Sequence, residues 1–255
     1  MPKFLVRLLC CFIPSKKIRH RIWNYFEMKK INPNFIVYGL NNNIVAIDKD
    51  GRETPITSDL PGIRFYVNGN NNTIKIHLPL TAKNTFIRCE NDNVYIEMGP
   101  LESGDFKLGI ECFAGNGQKC IIGKNTTIGN ANIVLNENAA CIIGEDCMLS
   151  GMIRLWPTDG HSVIDAETGE ILNETTKPLI IENHVWVGEG VRLTKRAHIH
   201  KNSIISGGSV AYKDYKESGV VIAGNPGKIV KRNITWNRMN VYDLKRKIKK
   251  QKKDK

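Results

Sequence analysis

IENHVWVGEGVRLTKRAHIHKNSIISGGSV, at residues 181–210, divides without a gap into five hexads. The first position of every hexad is a branched aliphatic residue, in the order Ile181, Val187, Leu193, Ile199 and Ile205. The fifth position holds a smaller side chain, in the order Val185, Val191, Ala197, Ser203 and Ser209. An α-helix cannot produce this pattern, because one turn every ~3.6 residues would spread it around all faces. The period predicts a chain in which each hexad forms one side of a triangular coil and stacked coils form parallel sheets.

The same pattern extends towards the N-terminus with insertions. CIIGKNTTIG at 120–129 returns as CIIGEDCMLS at 141–150, one coil later with a short corner loop added. This register predicts as inward residues Ile122, Ile128, Val134, Ile143, Leu149 and Leu155. It also places Cys120, Cys141 and Cys147 in the small inward position, where a free thiol acts as a small hydrophobic group. Looser coils are predicted around NNNIVAI at 41–47, NNTIKIH at 71–77 and NDNVYIE at 91–97.

The distribution of charge singles out the two ends of the chain, and the cysteine content indicates the cellular compartment. The 255 residues carry a formal net charge of +12, and the excess is concentrated in the first thirty residues and in 245–255. Seven Cys without a CxxC pair indicate reduced thiols and a cytoplasmic protein. The basic, amphipathic segment 1–35 is too short in its apolar part to span a bilayer. We expect it either to lie on an anionic membrane surface or to cap the domain, and we expect no nucleic-acid partner.

One long excursion interrupts the repeat. Leu155 and Ile181 should be six residues apart, yet about twenty residues leave the coil between them. A long loop on a rigid scaffold is a candidate for function, and this one contains His161. Imidazole can take a proton from a hydroxyl near neutral pH, so His161 is a candidate general base. Asp159 or Asp165 could orient its ring or could instead cap a turn.

Three motifs carry a family resemblance. The hexads, the run TDGHSVID at 158–165 followed by HVWVG at 184–188, and AGNPGK at 223–228 resemble the hexapeptide-repeat acyltransferases, in their capsular and sugar O-acetyltransferase branch. The resemblance covers residues 115–235 well and 36–114 weakly. It implies an all-β, left-handed parallel β-helix, His161 as the catalytic base, acetyl-CoA as the donor, and a homotrimer with active sites between subunits.

Further site residues follow from the register and the resemblance. Trp186 occupies an outward position, which predicts either burial against a neighbouring subunit or a wall of the acyl or acceptor site. For the donor side we predict contacts from Trp186, Gly207, Gly208, Tyr212, Lys213 and Lys228. The glycines allow close approach of a pantetheine arm, and the lysines can meet phosphates. Tyr212 stands where the family commonly has a small residue or Thr, so the contacts around it depart from the usual pattern.

The histidines outside the loop offer a metal alternative. His198 and His200 flank an inward residue and point outward on one face, with His184 one coil side away. A metal-dependent hydratase of similar fold would need three histidines gathered between subunits. The wider pattern does not support that reading, so we expect no metal.

The leading functional hypothesis is direct transfer of acetyl from acetyl-CoA to a hydroxyl of a carbohydrate, such as a capsular or other cell-surface polysaccharide or its precursor. His161, Asp159 and Trp186 are the predicted catalytic residues. One alternative is N-acetylation of an amino sugar, and another is a non-catalytic β-helix scaffold. We expect three segments: the basic residues 1–35, a β-helix at 36–235 with an inserted loop at 156–180, and a basic helix or tail at 236–255, which with the first segment could contact an anionic membrane.

Overall fold

The computed structural model describes residue 32 and the ranges 34–58, 60–174 and 177–253. Most of the predicted amphipathic segment 1–35 therefore lies outside the described residues. In chain order the strands are β1 Phe35–Tyr38, β2 Asn43–Ile47, β3 Glu53–Pro55, β4 Ile63–Asn68, β5 Thr73–His77, β6 Thr85–Cys89, β7 Tyr95–Met98, β8 Phe106–Gly115, β9 Lys119–Ile122, β10 Thr127–Glu137, β11 Ala140–Ile143, β12 Met148–Leu149, β13 Ile153–Trp156, β14 Leu179–Ile181, β15 Trp186–Val187, β16 Arg192–Thr194, β17 His198–Ile199, β18 Ile204–Ile205, β19 Val210–Ala211, β20 Val221–Ala223 and β21 Lys228–Lys231.

The strands stack into a parallel β-helix with three faces. Within the described residues they form one sheet of thirteen strands and one of eight. The larger sheet covers two faces, because β10 pairs with β12 through its first residues and with β13 further along. The first face consists of β12, β15, β18 and β20. The second face consists of β1, β4, β6, β8, β10, β13, β16 and β19. The third face consists of β2, β5, β7, β9, β11, β14 and β17.

The core is the column of inward aliphatic side chains that the hexads predict. The first-position residues from Ile181 to Ile205 are all buried. The three cysteines placed inward from the repeat, Cys120, Cys141 and Cys147, are buried as well. The looser coils predicted from 41–97 supply β2, β5 and β7 of the third face, and they pair in register.

One predicted inward residue is wrong. Val134 points outward and is half-buried, whereas its neighbours Ile133 and Leu135 are buried. The register shifts between Ile128 and Ala131 as β10 turns the corner between the first and second faces. Because side chains alternate along a strand, this one-residue shift exchanges the inward and outward positions.

The corners turn through left-handed backbone. At the corner between the third and first faces, Asn125, Asp146, His184 and Asn202 have φ values of 58°, 52°, 56° and 62°. Asn and Asp tolerate this conformation better than other residues with a side chain, which explains why the sequence is rich in Asn. His184 is the unusual member of this column.

The chain after the last coil folds back on the solenoid. β21 runs antiparallel to β20, and the residues 232–240, which we call the C-terminal strap, then lie against the first face. The strap leads into α1, Val241–Lys253, where the side chain of Asn240 accepts a hydrogen bond from the Asp243 amide at 3.0 Å and so caps the helix. Of the helix and the tail that the sequence left open for 236–255, the structure has a helix over 241–253. No helix in the described ranges has the length and hydrophobicity needed to cross a membrane.

Candidate functional site

The inserted loop leaves the solenoid after β13 and returns at β14. Its outer part is a small hairpin in which Ile164 and Ile171 form an antiparallel bridge. Its base is held by polar contacts: Asn173 Nδ2 donates to Asp159 Oδ2 at 2.9 Å and to the His161 carbonyl at 2.8 Å. Lys195, from the next coil, forms an ion pair with Asp159. The loop is therefore anchored to the rigid coil at the residues that flank His161.

His161 itself is presented to solvent. It is exposed and follows Gly160, whose φ of +75° suits glycine. Within the described ranges the imidazole has no hydrogen-bond partner, while the main chain is fixed by Asn173. An anchored backbone that carries an exposed imidazole fits a residue that accepts a proton from a bound substrate.

Asp159 and Asp165 both have partners other than the His161 ring. Burial would raise the pKa of Asp159, but the hydrogen bonds from Lys195 and Asn173 outweigh it, so this pKa lies below its ordinary value. Asp165 accepts hydrogen bonds from the amides of Glu167 and Thr168 at 2.9 and 2.8 Å, and these contacts lower its pKa. Asp165 is thus a turn residue. Asp159 anchors the loop, and a catalytic role for it stays a prediction.

An open cavity of about 740 Å³ lies beside the loop. Its walls include Ser162, next to His161, the loop residue Asn173, and Glu137 and Asn138 from the corner that follows β10. The cavity gives a ligand access to the loop from the side of the preceding coil.

Trp186 lies on the first face, away from the loop. It stands in an outward row between Met148 and Ile204 of the adjacent strands. Its Nε1 donates to Ser150 Oγ at 3.4 Å, and its ring lies 6.2 Å from that of Trp236 in the C-terminal strap. The half-burial of Trp186 thus comes partly from its own chain, and not from a neighbouring subunit alone.

Gly207 and Gly208 form the corner between the first and second faces. A Cβ on Gly188 would lie 2.6 Å from the Gly207 amide nitrogen, so the backbones of adjacent coils touch here. Gly208, with φ +70°, has open space where its side chain would be. This corner leaves bare backbone that a narrow ligand can approach.

Tyr212 and Lys213 lie at the opposite corner of the second face. β19 pairs with β16, which places Tyr212 beside Thr194, and Thr194 in turn pairs with Trp156. Tyr212 is 40% exposed, and Lys213 Nζ lies 5.6 Å from its ring centre. Lys228 is exposed on β21. A single chain therefore brings Tyr212 to the same corner as the loop. Gly207 and Gly208 lie at the other corner of the second face, and Trp186 lies on the first face.

A cluster of titratable groups occupies the third face near the last coil. His198 and His200 stack with ring centres 4.0 Å apart, and Glu182 and Asp214 lie within 2.9 and 2.8 Å of them. One ligand atom each of Glu182, His198 and His200 lies within 4.8 Å of the others. This set could hold a divalent ion, so the expectation of no metal stays a prediction.

The sequence pattern did not predict several residues around the candidate site. Asn173 and Lys195 anchor the loop, yet neither contact could be read from spacing. Asn173 binds two residues at the other end of the same loop, and Lys195 reaches the loop from the next coil. Arg154 and Arg192 stand exposed on the second face. For Arg192 the hexad register was a usable signal, because the sixth position of a hexad points outward.

Comparisons with known proteins place the chain in a family. A model described as "Beta-1,4-N-acetylgalactosaminyltransferase (CgtA)" matches residues 1–139. A polysialic acid O-acetyltransferase of Neisseria meningitidis is 34% identical over 200 residues, covering 78% of this chain and 87% of that protein. A polysialic acid O-acetyltransferase of Escherichia coli O1:K1 / APEC is 35% identical over 54% of this chain, which spans 44% of that relative's length.

A solved structure supports the same placement. The crystal structure of the polySia-specific acetyltransferase NeuO matches with a TM-score of 0.69 and 29% identity, covering 87% of this chain and 98% of that one. The chain belongs to the hexapeptide-repeat acetyltransferases, in the polysaccharide O-acetyltransferase branch, and through residues 1–139 to the family described as CgtA. The predicted family and its left-handed parallel β-helix are thereby confirmed. The CgtA match ends before the loop that carries His161.

Proposed function

We propose that this protein transfers an acetyl group from acetyl-CoA to a hydroxyl of a sialic acid polymer, with His161 as the general base. The observation that carries the proposal is the loop: an exposed imidazole on a backbone anchored by Asn173 and by the Asp159–Lys195 ion pair. The names of the relatives from Neisseria meningitidis and Escherichia coli support the choice of acceptor.

In the proposed reaction His161 removes the proton from a sugar hydroxyl. The oxygen attacks the thioester carbonyl, a new C–O bond forms, the C–S bond breaks, and the protonated His161 gives its proton to the CoA thiolate. Backbone N–H groups near Gly207 are the proposed stabilisers of the oxyanion. The acetyl group passes directly between the two substrates.

The cysteines support direct transfer over a thioester on the enzyme. Every described cysteine is buried. Burial raises the pKa of the Cys120 thiol to about 12 and that of Cys147 to about 11. Thiols of this kind stay protonated and out of reach near neutral pH, so they are poor nucleophiles.

We further propose that the active site forms between the subunits of a homotrimer. Within one chain, His161 and Tyr212 lie at one corner of the second face, Gly207 and Gly208 lie at the other, and Trp186 lies on the adjoining first face. Apposing the loop corner of one subunit to the glycine corner of the next would join the two groups. Acetyl-CoA would then lie along the glycine corner, with Lys228 of that subunit and Lys213 of the subunit that supplies the loop near its phosphates.

The test is acetyl transfer by His161→Ala and His161→Gln. Removal of a general base should lower kcat by a factor of about 10² to 10⁴, while the affinity for acetyl-CoA measured by calorimetry should stay unchanged. Glu167→Gln, an exposed position in the same loop, is the matched control and should retain full activity. Wild-type rates in the His161 variants would contradict the role of His161.

The acceptor panel separates the alternatives. It contains sialic acid polymers, neutral sugars, amino sugars with free amines, and a nucleotide-activated N-acetylgalactosamine, because the CgtA description names transfer of that sugar. Preference for free amines would favour the N-acetyltransferase alternative. Transfer of N-acetylgalactosamine without acetyl transfer would overturn the proposal, and a lack of any transfer would favour a scaffold.

A further inference from the structure

Two arginines lie side by side on the second face with no carboxylate to balance them. Arg154 on β13 and Arg192 on β16 are directly paired in register, and both are exposed. Within the described ranges neither forms an ion pair, whereas Arg88, Arg232 and Arg238 each bind an acidic side chain. Like charges opposite each other on neighbouring strands are destabilising. The pair therefore suits an anion that comes from outside the chain.

The row that holds this pair continues along the solenoid. Through successive strands it runs Arg64, Phe86, Gly109, Asn132, Arg154 and Arg192. Five strand spacings of ~4.8 Å separate its two ends by about 24 Å. Arg64 at the far end is also exposed and also lacks an acidic partner among the described residues. The face thus has two basic positions far apart on one straight line.

The surface between the basic positions carries both acidic and basic side chains. Arg88 compensates Glu90 through an ion pair, and Glu111 accepts a hydrogen bond from Asn132 at 2.9 Å. Phe86 lies 5.6 Å below the Arg64 guanidinium, and Trp156, which is 45% exposed, lies 5.7 Å from that of Arg154. Aromatic rings of this kind offer a flat apolar surface to the C–H faces of sugars.

We propose that Arg154, Arg192 and Arg64 bind a polyanionic glycan along the second face, with the arginine pair holding carboxylates next to the reacting hydroxyl. The proposal rests on the proposed function, and it adds the feature that selects the acceptor. Arginine binds carboxylates by charge-assisted, often bidentate hydrogen bonds, and the straight row suits an extended polymer. A short acceptor reaches the Arg154–Arg192 pair alone, whereas a long one also reaches Arg64.

The experiment measures acetyl transfer to short and to long sialic acid polymers. Arg154→Gln with Arg192→Gln should raise KM for both acceptors by about ten- to a hundredfold, since a hydrogen bond to a charged group contributes ~1.5–3 kcal/mol. Arg64→Gln should raise KM for the long acceptor alone. KM for acetyl-CoA should stay unchanged, and raised salt should weaken the wild type more than the variants. Arg52→Gln, an exposed arginine on the hairpin loop between β2 and β3, is the control with the same charge change.

Three results would overturn the proposal. A rise in KM for acetyl-CoA instead of the acceptor would assign the arginine pair to the phosphates of CoA. Altered oligomeric state with unchanged kinetics would make the face an interface between copies of the chain. Equal losses for Arg64→Gln with both acceptor lengths would exclude an extended row.

Failure of the proposed function can be told apart from failure of this inference. Binding of unmodified polymer to immobilised protein is measured without acetyl-CoA. If the wild type binds polymer and the arginine variants do not, the inference holds even where no acetyl transfer is found. If the wild type and the variants bind polymer equally, the inference fails whatever the enzyme activity.

Discussion

The first and second faces of the β-helix belong to the same sheet, but the C-terminal strap packs against the first face and leaves the second face uncovered. On the first face the outward Trp186 is approached by the C-terminal strap, whose Trp236 is 7% exposed and donates from Nε1 to the His184 carbonyl at 2.8 Å. On the second face the outward Trp156 and its arginine neighbours have no such cover among the described residues. An outward position alone therefore does not tell whether a side chain is packed or free to contact a ligand. What distinguishes the two faces is whether another segment of the chain, here the strap, packs over the outward side chains.

The strap is held by a connected set of polar contacts. The Arg238 guanidinium donates to Asp146 Oδ1 at 3.0 Å, to Thr127 Oγ1 at 2.8 Å and to two backbone carbonyls at the corner between the third and first faces. His184 pairs with Asp146 at 2.7 Å and stacks on Trp236 with ring centres 4.3 Å apart. His184 thus acts in strap packing, and this explains a histidine at a corner that usually takes Asn.

The largest effect should come from Trp236→Ala. Removing a buried Trp costs ~3–5 kcal/mol of the free energy of unfolding, because a cavity forms and packing is lost. Trp156→Ala on the bare face should change it by at most ~0.5 kcal/mol, as for other surface positions. Urea unfolding measures both. Equal losses would show that the two faces do not differ in cover.

Arg238→Ala should cause the second-largest loss in the free energy of unfolding. It removes hydrogen bonds from a charged donor to the corner column, and such bonds contribute ~1.5–3 kcal/mol. Arg238→Lys keeps the charge but cannot reach the same set of acceptors, so it should recover a minor part of the lost stability. Full recovery by Lys would mean that charge, and not the fork of hydrogen bonds, holds the strap.

The third-largest effect should be a loss of the strap's contribution to stability at low pH. Burial would raise the pKa of Asp146, but hydrogen bonds from His184 and Arg238 outweigh it, so this pKa lies below its ordinary value. A depressed carboxyl pKa contributes stability that is complete above the unfolded-state value of ~3.9 and is lost as pH falls through the folded-state value. Tm measured below about pH 4 should therefore fall less steeply for Asp146→Asn than for the wild type. Parallel curves would exclude this contribution.

The smallest effect should come from Arg154→Ala. Relief of the repulsion from Arg192 should leave the free energy of unfolding unchanged or raise it by at most ~0.5 kcal/mol. Thermal unfolding at low salt is the measurement, since salt screens the repulsion. A clear loss of stability would mean that Arg154 packs as part of the fold, and it would weaken the argument for a binding face.

Much of the candidate site could be read from the chain, but not its arrangement. The break between Leu155 and Ile181 predicts the loop, and the motif around His161 supplies the candidate base. The anchoring of that loop depends on contacts that Asn173 makes across the loop and that Lys195 makes from the neighbouring coil, and no local spacing encodes either. Val134 shows the same limit at small scale: the step from Ile128 to the inward Ile133 is one residue shorter than the step from Leu149 to Leu155 in the next coil, and this reversed its side.

The amino-acid sequence by itself determined the coil, because a six-residue period allows one way to bury an aliphatic residue per side. It also determined the position of the loop, because an insertion into a strict repeat is visible as a gap. Tertiary structure alone decided which outward residues are covered and which are bare. That choice depends on where the C-terminal strap lies, and the strap packs against residues about fifty to more than a hundred positions earlier in the chain.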